Sequence, residues 1–172
     1  MQIIEGKVWK FGDDINTDVI SPGRYMNAPI EEIREHVLEV VNPRFSREVK
    51  EGDVIIGGNN FGCGSSREEA PAVLKACGIA AVAAESFARI FFRNAIAVGL
   101  PIVACPGVSG AFNEGANIKL DLDAGRVTNL KTGSVLSFEP LPGEMKEVLS
   151  KGGILSLLKE IARNQDANTT PK

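Results

Sequence analysis

Residues 3–11 alternate apolar and polar side chains, which predicts a strand, and Gly12-Asp-Asp14 ends it. Residues 13–25 read as a polar loop around one apolar pair, Val19-Ile20, with a turn at Pro22-Gly23. From 29 to 41, Ile30, Ile33, Val37 and Val40 recur at helical spacing, and Asn42-Pro43 stops the run. The middle of the chain is more regular. A short apolar strand over 53–57 runs into Gly58-Asn-Asn-Phe-Gly-Cys-Gly-Ser-Ser66, too rich in glycine for a helix or a strand. A helix over 68–77 follows, closed by Gly78 in the position a left-handed cap requires. Residues 79–84 predict a strand, Ser86 a cap for a helix running to Val98 and ended by Gly99, and residues 100–104 a third strand. Strand–helix–strand–helix–strand at this spacing predicts a parallel βαβαβ core with right-handed crossovers. After Pro106 the character changes. Strands over 118–122, 126–130 and 134–138, separated by Asp-Ala-Gly and Lys-Thr-Gly turns, predict an added β-meander. Amphipathic helices over 142–149 and 154–162 are broken by Gly152-Gly153, and the polar stretch 164–172 reads as a flexible, frayed tail. The expectation is an α/β protein with a single domain over 1–163.

Composition narrows the class. With 172 residues, 44% of them apolar and 24% charged, the chain has room for one domain with a full core. Nineteen Lys and Arg against 22 Asp and Glu give a net charge of −3, which argues against nucleic acid or a membrane surface as partner. No apolar run approaches the ~20 residues of a membrane span, and the N-terminus reads as neither signal nor transit peptide. Three cysteines, Cys63, Cys77 and Cys105, form an odd set without Cys-x-x-Cys spacing. That fits a reduced, cytoplasmic location and small buried side chains rather than a disulfide framework, and it gives no sign of an iron–sulfur or zinc site in this chain.

The distinctive chemistry lies at residues 57–70. Gly58, Gly62 and Gly64 permit close backbone approach, and Ser65-Ser66-Arg67 stands at the mouth of a helix, where free N–H groups favour an anion. The same residues also read as a capped helix after a tight turn, with Ser66 and Glu69 or Ser65 and Glu68 as a capping box. Pro71 opposes a cap at Ser66, because the helix would lose a bond there; a start at Glu68 or later leaves both serines in the loop. Known motifs fail: Cys63-Gly64 stands where a phosphate loop needs Lys-Ser/Thr, and Arg67 takes the third glycine's place in a dinucleotide fingerprint. A nucleophile elbow lacks its second glycine, and the single histidine, His36, flanks an apolar stripe and reads as a surface residue. A second polar run holds Asp14, Asn16 and Asp18 at alternating positions, but Val19 replaces the glycine of a calcium loop. Asp13 and Asn16 read as side chains tying their own turn, and Asp18 as the functional member.

Gly12-Asp-Asp-Ile-Asn-Thr-Asp-Val-Ile20 and Asn60-Phe-Gly-Cys-Gly-Ser-Ser-Arg-Glu68 together resemble the small subunits of 3-isopropylmalate dehydratase, in the aconitase superfamily. Ser86-Phe-Ala-Arg-Ile-Phe-Phe-Arg-Asn94 is similar to a third signature, and the resemblance extends from Gly6 to about Leu158. It implies a swivelling β/β/α domain whose [4Fe–4S] cluster is held by a separate large subunit, with a small dicarboxylate as substrate. It implies a hydro-lyase, active only with that partner, that moves a hydroxyl between adjacent carbons of a malate derivative in leucine biosynthesis. By the same resemblance Ser65 is the base, Arg67 binds a substrate carboxylate, Asp18 lies in the active site, and Ser66 joins the binding set. Glu69 stands where many members have histidine, and the substrate-recognition segment reads Arg24-Tyr25-Met26-Asn27-Ala28 rather than Tyr-Leu. In that segment Met26 suits an alkyl substituent, Asn27 and Ala28 carry no positive charge, and Arg24 could supply one. An alkyl-substituted malate is therefore the expected substrate. Homoaconitate, 2-methylmalate or citraconate, 2,3-dimethylmalate and a non-catalytic anion-binding role are the alternatives; self-association of the isolated chain is left open.

Overall fold

A computed structural model describes residues 3–168. Seven strands form one mixed sheet in the order β4-β3-β2-β1-β5-β6-β7. Strand β1 (Ile3–Lys10) lies at its centre, parallel to β2 (Val54–Gly57) and antiparallel to β5 (Asn117–Asp121). β2, β3 (Ala81–Ala84) and β4 (Ile102–Ala104) continue in parallel, while β6 (Arg126–Asn129) and β7 (Val135–Ser137) complete an antiparallel meander. The parallel βαβαβ core and added meander are those that the order and spacing of the elements predict.

Successive side chains along the parallel strands point into two different cores. Along β2, Ile55 points into a core shared with the helices, and Val54 and Ile56 into a second core on the other face. β3 does the same with Val82 and Ala84 against Ala81 and Ala83. This is the period of two that a strand buried on both faces demands. The first core is closed by α2 (Ile30–Arg34), α4 (Glu69–Ala76), α5 (Arg89–Val98) and α7 (Gly143–Ser150), with Phe45 of α3 (Phe45–Glu48) edge-on to Trp9. The second is closed by α6 (Val108–Ala111) and by Ile118, Leu120 and Val127 of the meander.

Four local expectations change. The helix over 29–41 stops after Arg34, because Leu38 takes a left-handed φ of 55° and turns its side chain inward while Val40 stays 72% exposed. Residues 17–25 are not a plain loop: Thr17–Ile20 forms one helical turn, α1, and Gly23–Tyr25 a 3-10 turn. Ser86 does not cap α5, which starts at Arg89 after Ala88; its Oγ accepts instead from the Asn60 N–H. Finally, α8 (Ile154–Asn168) runs past Ala162 into the stretch read as frayed, and residues 169–172 lie outside the described residues.

The cysteines occupy separate places. Cys77 sits in the helix-side core, Cys105 in the opposite one, and Cys63 half-buried in the glycine loop; all three are free thiols. Burial, with the Glu85 carboxylate nearby, pushes the Cys105 thiol up to about 11 from 9.0. A thiol whose folded pKa is raised contributes stability that is full below its unfolded value and is lost as pH rises toward the folded one. Stability should therefore fall between pH 9 and about 11. A Cys105→Val variant, compared by denaturant titration, should lack this part of the fall; equal alkaline slopes would count against it.

Candidate functional site

The loops that follow β1 and β2 leave the carboxyl ends of parallel strands, where open α/β sheets bind ligands. They are stitched to one another along their length. Gly58 N–H donates to the Gly12 carbonyl at 3.0 Å, Asp14 N–H to Asn59 at 2.9 Å, Gly62 N–H to Ile15 at 2.7 Å and Thr17 N–H to Cys63 at 2.8 Å. Short side chains add to the seam. Asp13 Oδ1 accepts from the Asn59 N–H at 2.6 Å, and Asp14 Oδ1 from Asn60 Nδ2 at 2.9 Å. Asp14 and Asn60 hold φ values of 54° and 56°, a left-handed conformation that Asp and Asn tolerate better than most residues. Asp13 thus ties the other loop rather than its own turn. Asn16 does serve its own turn, its Oδ1 accepting from the Val19 N–H at 2.8 Å as the cap of α1.

This seam brings Ser65, Arg67 and Asp18 to one place. Thr17, only 2% exposed, donates its hydroxyl to the Ser65 carbonyl at 2.9 Å, and the Arg67 N–H donates to the same carbonyl at 2.9 Å. Arg67 reaches back under the first loop. Its Nη2 meets Asp18 Oδ1 at 2.5 Å and its Nη1 donates to the Ser21 carbonyl at 3.0 Å. The guanidinium side chain is 16% exposed while Asp18 is 56% exposed, so the pair is a sheltered cation with an open carboxylate over it. Ser65 and Ser66 are both exposed. Helix α4 begins at Glu69, after Glu68, with no side-chain cap, so neither serine is spent on the helix. That start places Pro71 in the first turn, where its missing N–H costs nothing.

Residues 13–105 match the family model of the aconitase C-terminal domain. The 3-isopropylmalate dehydratase small subunit 1 of Methanopyrus kandleri is 54% identical to this chain over 158 residues, 91% of the chain and 93% of that protein. The chain belongs to the aconitase C-terminal domain family. A second relative, the isopropylmalate/citramalate isomerase small subunit of Methanocaldococcus jannaschii, is 51% identical over 159 residues, 92% of this chain and 95% of its own. A methanogen homoaconitase small subunit of Methanothermobacter thermautotrophicus is 44% identical over 155 residues, 90% and 89% of the two chains. The crystal structure of a 3-isopropylmalate dehydratase from Methanocaldococcus jannaschii superposes with a TM-score of 0.91 at 40% identity, covering 97% of this chain and 99% of that one.

Within this aconitase-family fold, Met26 and Asn27 are exposed beside the 3-10 turn. Gly23 anchors that turn at the site: a Cβ there would lie 3.1 Å from Arg67 Nη2 and 3.3 Å from Asp18 Oδ1. Arg24 is drawn off by an ion pair with Glu39. Thr17 and the Ser21 carbonyl are the members that the sequence did not single out. Thr17 could have been found from its place beside Asp18; the carbonyl carries no local signal. An iron–sulfur cluster does not fit these residues. Cys77 and Cys105 lie in cores on opposite faces of the sheet, and among the described residues no three His, Cys, Asp or Glu side chains are grouped to hold a metal ion. No helix among them is long and apolar enough to cross a membrane.

Proposed function

We propose that the chain is the small subunit of a two-chain hydro-lyase that interconverts 2-isopropylmalate and 3-isopropylmalate by dehydration and rehydration. The observation that carries this reading is the convergence of an exposed serine, a sheltered arginine and an aspartate at the carboxyl ends of the parallel strands. The relatives, named as small subunits of isopropylmalate, citramalate and homoaconitate enzymes, support the reaction type. Arg67 would hold a substrate carboxylate, with Asp18 and the Ser21 carbonyl fixing the plane of its fork. Ser65 would take the proton α to that carboxylate. A serine hydroxyl is a poor base unless the developing alkoxide is stabilised, and loop N–H groups beside Arg67 would have to supply that field. Ser66, Met26 and Asn27 would complete the substrate-facing rim. The [4Fe–4S] cluster that the family resemblance implies would sit in the large subunit; among the described residues no ligand set for it is grouped.

Co-expression with the large subunit and assay against substituted malates tests the proposal. The pair should turn over 2-isopropylmalate, and this chain alone should not. Tight dicarboxylate binding by the chain alone, with no partner co-purifying, would favour a non-catalytic anion-binding module. The relative named for both isopropylmalate and citramalate makes 2-methylmalate the second substrate to try.

Arg67→Lys keeps the charge but loses the planar fork that holds Asp18 and the Ser21 carbonyl together. Substrate binding should weaken by ~1.5–3 kcal/mol, read as a rise in KM with kcat much less affected. An unchanged KM would make Arg67 a purely structural residue.

A further inference from the structure

The 3-10 turn at the rim carries a cation that the chain itself cancels. Arg24 follows Gly23, the residue packed against the Arg67 guanidinium and Asp18. Instead of standing free beside that grip, Arg24 pairs with Glu39 Oε1, and its guanidinium lies 4.9 Å over the ring of Tyr25. Tyr25 stacks on His36 with centroids 4.0 Å apart and planes 9° from parallel. His36 Nδ1 in turn lies 2.8 Å from Glu39 Oε2, so both oxygens of Glu39 are engaged in one closed group of four side chains.

The group is built into the fold. Glu39 follows Leu38, which is fully buried, holds a left-handed φ of 55° and donates its N–H to the Ile20 carbonyl at 3.2 Å. The break in the helix after Arg34 thus brings residue 38 back onto the end of α1 and sets Glu39 within reach of Arg24 and His36. The Glu39 side chain is 24% exposed against 64% for Arg24, so the carboxylate is the fixed partner and the arginine the captured one.

We infer that Glu39 is a specificity-determining residue, which neutralises Arg24 and so keeps that arginine from serving a third substrate carboxylate. This rests on the functional reading above, in which Arg67 binds one carboxylate of a malate derivative. A dicarboxylate with an alkyl substituent loses nothing by the pairing. A tricarboxylate such as homoaconitate would bring its extra charge to a rim where the arginine is already neutralised, and discrimination arises from the unpaired group rather than from a better fit of the preferred substrate.

The test uses the assembled two-subunit enzyme and compares kcat/KM for 2-isopropylmalate and homoaconitate. Glu39→Gln should shift the ratio toward homoaconitate by about tenfold or more, with 2-isopropylmalate turnover within about threefold of wild type. Arg24→Gln, which leaves Glu39 as an unpaired negative charge, should shift it the other way, and the double variant should return it near the wild-type value. The opposite signs separate a charge effect from a disturbed loop, which would push both single variants in the same direction. Arg24→Gln alone still carries the test if Glu39→Gln folds poorly. An unmoved ratio, or a double variant that keeps the shift, would overturn the inference while leaving the isomerase reading intact. A wild-type complex that turns over neither substrate would sink that reading, and this inference with it.

Discussion

Replacing Ser65 by alanine should give a subunit that folds, assembles and binds substrate but turns it over roughly a thousandfold more slowly, the scale of a lost proton acceptor. The change removes one hydroxyl from an exposed loop residue whose backbone is held from elsewhere. The Ser65 carbonyl keeps its bonds from the Thr17 hydroxyl and the Arg67 N–H, each at 2.9 Å, so the loop has no reason to move. The loss should therefore appear in kcat, with KM and thermal stability near wild type. Ser66→Ala provides the comparison. Read from sequence, Ser66 is a candidate cap; in the structure α4 starts at Glu69 without a side-chain cap. Its replacement should change stability by no more than about 0.5 kcal/mol and cost far less activity. If Ser66→Ala is the inactive variant and Ser65→Ala the active one, the two roles are reversed.

The second large effect falls on folding. Gly62 holds φ at 79°, and a Cβ built on it would enter the volume of the Phe91 ring. Gly62→Ala must bear the left-handed backbone cost of ~1–2 kcal/mol and an overpacking cost of ~1–3 kcal/mol together. Phe91 cannot yield easily, being 1% exposed and edge-on to Phe61 with ring centroids 5.6 Å apart. The variant should lose several kcal/mol by denaturant titration. Gly12→Ala, where a Cβ meets nothing within 4 Å, should be nearly neutral in the same experiment. Similar losses at both positions would show that loop flexibility, not the Phe91 contact, sets the cost.

β1 was legible from its alternation and the βαβαβ order from short apolar runs spaced by helices, as strands buried on both faces read, and the meander because its turns carry Gly at fixed places. The helix over 29–41 was misread for a physical reason: Ile30, Ile33 and Val37 fit helical spacing, but the buried residue that matters next is Leu38, reached by a left-handed turn that no periodicity foretells. Ser86 has the chemistry of a helix cap, yet its oxygen serves the Asn60 N–H of the glycine loop 26 residues away. The site shows the same division. Asp18, Ser65 and Arg67 stood out as residues, and the structure places Asp18 and Arg67 in one ion pair. What joins the loops, backbone bonds and the Asp13 and Asp14 contacts to Asn59 and Asn60, spans 46 residues and leaves no trace in either segment alone. Arg24 illustrates the limit best, since its charge is visible in the sequence and its cancellation by Glu39 is not.

The central position of β1 has a consequence for the order in which the chain can fold as it is synthesised. The first strand to leave the ribosome needs one neighbour that follows at Val54–Gly57 and another at Asn117–Asp121. Once residue 104 has emerged, both site loops and the parallel strands exist. Yet the face bearing Val54, Ile56, Ala81, Ala83 and Val103 still lacks the Ile118, Leu120 and Val127 that cover it. During that interval the nascent chain presents a bare aliphatic sheet, the kind of aggregation-prone surface that chaperones shield. Fragments ending before the meander should be recovered from cells as insoluble material, although they contain every residue of the proposed catalytic set.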